Sequence, residues 1–128
     1  MSTDLHMLVW AVALTIVQTV LAAFGAMQQV GLPALAGNRE SLPAIVGWAG
    51  RAGRAHRNML ENLVLFAALV LVAAVTNRAN AMTAMGAQLF FWARLIYVPV
   101  YIIGLPWVRT IVWAASVIGL VMIFLQVV

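Results

Sequence analysis

The residues best placed to do chemistry stand in Arg51–Glu61, read as RAGRAHRNMLE, at the start of a long apolar run. Arg51, Arg54, Asn58 and Glu61 recur at steps of three or four residues. On a helix that spacing lines them along one stripe, with Arg54 and Glu61 about 10 Å apart along the axis. Leu63 to Val75 is almost wholly apolar, so the stripe enters a membrane from its polar end. Ionisable groups are costly there and suggest a site rather than a scaffold. The other reading is a basic collar beside the membrane, whose Glu61 snorkels or is neutralised.

A second stripe follows. Arg94, Tyr97 and Tyr101 are spaced i, i+3 and i+7. Counted in from the outer turn at the helical rise, Arg94 lies roughly 16 Å deep and Tyr97 roughly 21 Å, and Glu61, counted back from Val75, also lies roughly 21 Å deep. Two polar stripes on neighbouring helices are therefore expected to meet. An arginine at that depth needs an acidic partner or a water-lined cavity, and Glu61 is the acid within reach. A single Glu61–Arg94 pair locking the helices is one reading, and a binding site built from both stripes is the other. Arg109 falls in the first turn of a later helix, where the backbone already presents positive partial charge. It either accompanies a bound anion, lowering the pKa of a thiol held there, or snorkels beside Trp107 at the interface. His56 lies roughly 160° around its helix from the Arg54–Asn58 line, so it faces a packed helix or another subunit. His6 and His56 have no ligand partners at metal spacing, and no metal site is expected.

The elements that must carry these residues are membrane spans. Of 128 residues, 66% are apolar and 8% charged, outside the soluble globular range. All seven basic residues are arginine, the choice where a charge must stay ionised and grip a carboxylate or phosphate with two donors. They are spread along apolar helices rather than gathered on a soluble face, so nucleic acid is not an expected partner, whereas membrane lipid is. With no cysteine, disulfides, thiolate nucleophiles and Cys-held metals are excluded. The expected architecture is an all-α integral membrane four-helix bundle, a single domain over residues 1–128, with spans near 5–30, 45–76, 82–103 and 106–128. The first span reads as an anchor rather than a cleaved signal, and Gln18 is its strongly polar interior residue. Gly31–Gly47 has loop composition, and Asn77–Asn80 reads as a tight turn. The arginine bias places the first and third connections in the cytoplasm and both termini outside. A chain without lysine or a retention signal is expected in a bacterial inner membrane, with its termini periplasmic.

Arg54–Glu61, as RAHRNxxE before an apolar helix, resembles the signature of the MAPEG family, membrane-associated proteins in eicosanoid and glutathione metabolism. RLIYVPVY, Arg94–Tyr101, is similar to a third-helix segment of that family, with its arginine and two tyrosines at the same spacing. PWVRT, Pro106–Thr110, resembles the family's Pro-x-x-Arg-Ser stretch. The resemblance covers the second to fourth spans and implies a homotrimer with glutathione bound between subunits. It implies that Arg54, Arg57, Asn58 and Glu61 hold the tripeptide's charged and amide groups. Arg94, Tyr97 and Tyr101 would line the same pocket, and Arg109 would stabilise the thiolate. His56 would point to the next subunit. Gln28 and Gln29 stand near the place of a first-helix arginine of the family's eukaryotic enzymes, and Asn62 takes the place of a glutathione-contacting tyrosine. The function expected is a glutathione-dependent transferase or peroxidase acting on lipophilic electrophiles. The alternatives are a non-catalytic membrane protein binding an anionic thiol or lipid, and a structural bundle.

Overall fold

The computed structural model of the chain describes residues 1–40 and 42–128; Ser41, within the expected first connection, lies outside the described residues. The first helix, α1, spans Thr3–Val30 and is capped by Ser2, whose hydroxyl accepts from the Leu5 amide. Gly31, at φ +84, ends it. A short helix, α2 (Leu32–Ala36), follows with Pro33 in its first turn. Loop composition predicts no helix here. Proline's fixed φ suits a first turn, and five residues between two glycines are too few to show a helical period.

The second long helix, α3, spans Gly47–Val75. Its first residue stands at φ +67, a conformation glycine adopts without strain. Val46, at the N-cap, has no side chain able to cap. Gln29 instead ties this residue to α1: its Nε2 donates to the Val46 carbonyl at 2.6 Å, and its Oε1 accepts from the Val46 amide at 3.0 Å. The α3–α4 turn closes on Asn80, which forms a reciprocal capping box with Thr83 and opens α4 (Ala81–Ile103). Gly104 ends α4 in the left-handed region, and Pro106 opens α5 (Pro106–Val127).

Successive long helices run antiparallel, α1 against α3 and α4 against α5, with α3 and α4 joining the two pairs. Small residues set the close crossings. A Cβ built on Gly86 would stand 2.7 Å from the Gly119 carbonyl, and one on Gly25 the same distance from the Ala49 Cβ. The core is narrow: Phe66 stacks on Phe90 with ring centroids 4.1 Å apart, flanked by Ala11, Met59, Val70, Leu120 and Ile123. The outward faces remain apolar, with Val20, Phe24, Val64, Leu71, Ile96 and Ile111 exposed. A soluble bundle would present charge there, whereas lipid accepts these faces. All four long helices are long and apolar enough to cross a bilayer. The fold is thus an all-α membrane four-helix bundle. Antiparallel order brings the end of α1, the starts of α3 and α5 and the end of α4 to one end, which carries Arg39, Arg51, Arg54, Arg57 and Arg109. The opposite end carries Arg78.

Candidate functional site

At the arginine-rich end, α3 on one side and the α4–α5 corner on the other enclose a recess of about 290 Å³, near the lower bound for small-molecule sites. Its lining is Arg54, Asn58, Tyr97, Tyr101, Arg109, Thr110 and Trp113. The two sequence stripes therefore converge, because Arg54 and Asn58 sit one turn apart on α3 and Tyr97 and Tyr101 one turn apart on α4. Tyr97 is buried, Tyr101, Arg109 and Asn58 are half-buried, and Arg54 is exposed. The Arg109 guanidinium lies over the Tyr101 ring, 4.7 Å from its centroid, and the two tyrosine rings meet edge-on at 5.4 Å. Asn62 donates its Nδ2 to the Asn58 carbonyl at 2.8 Å and to Asn58 Oδ1 at 3.2 Å. That leaves the Asn58 Nδ2 hydrogens for a ligand.

Three of the singled-out residues stand elsewhere. Arg94 is fully buried and does not line the recess. Its guanidinium lies 4.2 Å from the Tyr97 centroid, behind the ring as seen from the recess, and all three of its nitrogens lack a hydrogen-bond partner. Glu61 is exposed, so the Glu61–Arg94 pair that depth matching suggested is not formed. The reason is angular: Glu61 falls on the face of α3 that also presents Arg57, Val64 and Ala68 outward, whereas α4 packs elsewhere. Equal depth does not imply a shared direction. Arg57 lines a different cavity, of about 510 Å³, between α1 and α3, together with Thr19, Arg39, His56 and Arg54. There His56 Nε2 and Thr19 Oγ1 share a 2.9 Å hydrogen bond. Thr19 already donates to the Thr15 carbonyl at 2.9 Å, so the ring nitrogen is the donor. The neighbour that His56 faces is thus α1 of its own chain. Gln29, engaged with Val46, is not free to take the place of a ligand-binding arginine.

Thr110 and Trp113 were not singled out from the sequence. Trp113 stands four residues after Arg109, on the same face of α5, and that spacing was the available signal. Gln18 is a further buried polar group, with both amide atoms unpartnered. It sits about 22 Å along α1 and Arg94 about 20 Å along the parallel α4, at one level of the bundle.

The recess holds two guanidiniums, an amide and two phenols, and no acid; the Thr110 hydroxyl on its rim is spent on the Pro106 carbonyl at 3.0 Å. Such a donor set suits an anion, at the end of an apolar bundle. Fold and site together define an integral membrane protein with a cation-lined recess at one end. The sequence profile of the MAPEG family matches residues 5–128, nearly the whole chain, and the protein belongs to that family. Neither a curated protein nor a solved structure gives a significant match.

Proposed function

We propose that the protein binds glutathione in this recess and uses it as a transferase or peroxidase on lipophilic electrophiles. The observation that carries the reading is the acid-free donor set facing one cavity. Glutathione has two carboxylates and an ionisable thiol, and the residues present fit it. Arg54 and the free Asn58 Nδ2 would bind carboxylate or amide oxygen by charge-assisted and neutral hydrogen bonds. Arg109, its charge set against the helix dipole of α5, gains from an anion beside it and would hold the sulfur ionised. Bound glutathione would supply the sulfur nucleophile. Tyr97 and Tyr101 orient it and shield it from water, and Trp113 marks the side open to an acceptor arriving from lipid. Arg94 serves from behind, fixing the Tyr97 ring.

Glu61 and Arg57 enter through assembly. Arg57, Glu61, Val64, Ala68, Leu71 and Val75 are all exposed and recur at alternating steps of four and three, the spacing of a helix–helix seam. A carboxylate left facing lipid is expensive, and a second copy packed on α3 removes that cost. The assembly proposed is a homotrimer in which Arg57 and Glu61 approach the ligand of an adjacent subunit. The arginine-rich end faces the cytoplasm under the positive-inside rule, with both termini periplasmic in a bacterial inner membrane.

The test is the ultraviolet thiolate band of glutathione on titration with purified protein at neutral pH, followed by turnover of a generic aryl halide. A band with turnover supports the reading. A band without turnover makes the protein a binder, and no band dismisses the stabilised thiolate on which the proposed reaction depends. A monodisperse monomer in mild detergent that still binds glutathione would dismiss the trimer.

A further inference from the structure

Two walls make the recess, and one hydrogen bond ties them. Arg51, one turn before Arg54 on α3, donates its Nε–H to the Ile102 carbonyl at the end of α4, at 2.7 Å. Among the described residues this is the one hydrogen bond that joins α3 to α4 or α5. The carbonyl is available for a reason written in the sequence. In a continuing helix, Ile102 O would accept from the amide four residues on, but that residue is Pro106, which has no N–H. The chain also turns at Gly104, whose amide and that of Leu105 both return to Val100 O, at 3.1 and 3.3 Å. Ile102 O is thereby left for a donor from outside the helix. Arg51 supplies it, and its positive charge sits at the negative end of the α4 dipole.

The tie lies at the corner from which the anion-facing groups hang. Tyr101 precedes Ile102 by one residue, and Arg109 follows the Gly104 turn within the first turn of α5. The Arg51 side chain also packs on the turn itself, as a Cβ built on Gly104 would lie 3.6 Å from its Cδ and Nε. Gly104 stands at φ +92, so the turn is a glycine-only bend whose angle is not fixed by its own side chain. An external donor holding the carbonyl two residues before it sets how α5 leaves α4, and so where Arg109 lies relative to Tyr101 and Arg54.

We propose that Arg51 is a positioning residue, which holds the Ile102–Pro106 corner against α3 and so fixes the width of the recess and the placement of Arg109. The Nε–H that reaches the Ile102 carbonyl carries this role, and the charge at the end of α4 strengthens that bond. Its effect on glutathione rests on the function proposed above; its effect on the corner does not.

A pair of substitutions separates donor from charge. Arg51→Gln keeps an N–H donor the same number of bonds from Cα as Nε and removes the charge. Arg51→Met keeps the length and removes both. Amide hydrogen exchange over residues 104–110 reads the corner without any ligand. In Arg51→Met it should quicken by about ten- to a hundredfold, the loss expected for one hydrogen bond with a charged donor, and in Arg51→Gln it should stay within a few-fold of wild type. With glutathione saturating, the thiolate band should shift to higher pH in Arg51→Met and much less in Arg51→Gln. Unchanged exchange in Arg51→Met overturns the proposal, and so do equal changes in both variants, which would make the charge the active feature. If wild type shows no thiolate band, the glutathione reading fails by itself, and the exchange data still decide the role of Arg51. Should Arg51→Met fail to fold, Arg51→Ala takes its place: exchange quickened beyond that of Arg51→Gln supports the tie, and exchange equal in the two variants refutes it.

Discussion

Arg94 is the residue at which the structure and the depth argument part, and its replacement by methionine distinguishes them by sign. If Arg94 were half of a buried ion pair with Glu61, removing it would strand a carboxylate and cost about 3–5 kcal/mol. The structure shows no such pair. The guanidinium has no exposure and three unpartnered nitrogens, and its one favourable polar contact is the Tyr97 face at 4.2 Å. That cation–π contact is worth about 2 kcal/mol or somewhat more when desolvated. The residual cost of a buried ion is several kcal/mol even after relaxation, and each unmet polar group adds about 1–3 kcal/mol when its partners are missing. The unfavourable side is larger. Arg94→Met, which keeps most of the side-chain length and so leaves little cavity, should stabilise the fold by about 1–4 kcal/mol. The assay is reversible unfolding in mixed detergent micelles of wild type, Arg94→Met, Glu61→Gln and the double variant. The coupling between the two positions should lie within about 0.5 kcal/mol of zero, as for independent sites. A loss of 3 kcal/mol or more, together with coupling above about 1 kcal/mol, would falsify the unpaired reading. It would show that Glu61 reaches Arg94 within the chain or across an interface. Function should suffer even where stability gains, since Tyr97 loses the group behind its ring, and glutathione affinity is the quantity to watch.

The other expectations are simpler. Arg109→Leu removes the cation nearest the proposed sulfur position, so the bound thiol's pKa should rise; the thiolate fraction at neutral pH should fall and return as pH is raised. Coincident thiolate-versus-pH curves for wild type and Arg109→Leu would make Arg109 an interface anchor instead. Gly86→Ala should cost about 1–3 kcal/mol by overpacking, because its new Cβ would meet a backbone carbonyl at 2.7 Å that has no rotamer in which to retreat. Gly53→Ala is the control: its nearest neighbour is Arg57 Nη1 at 3.7 Å, so it should be neutral or gain up to about 1 kcal/mol from helix propensity, and equal thermal shifts in the two variants would contradict the crossing geometry. Cysteines placed at Ser2 and Asn38 should label from opposite sides of the membrane, and labelling of both from one side would reverse the topology argument.

Much of this protein is determined by sequence alone. Runs of apolar residues long enough to cross a bilayer, broken by Gly31, Asn77–Asn80 and Gly104–Pro106, specify the four spans, since a backbone in lipid must satisfy its hydrogen bonds as helix. The steps of three and four in Arg54–Asn58 and Tyr97–Tyr101 specify which side chains share a stripe, and Pro106 marks in advance a carbonyl that will need an outside donor. What periodicity cannot supply is the rotation of one helix against its neighbour. Glu61 and Arg94 match in depth, yet they diverge because glycine and alanine crossings, Gly86 on Gly119 and Gly25 against Ala49, set the angle at which each helix presents its stripe. Those contacts join residues far apart in the chain and leave no trace in local spacing. The same holds for Arg57, which the tertiary structure sends to the α1–α3 cavity although it neighbours Asn58 in sequence, and for Arg51, whose carbonyl partner lies on another helix. Local spacing fixed which groups travel together along a helix; only the packing of helix on helix decided which of them face one another.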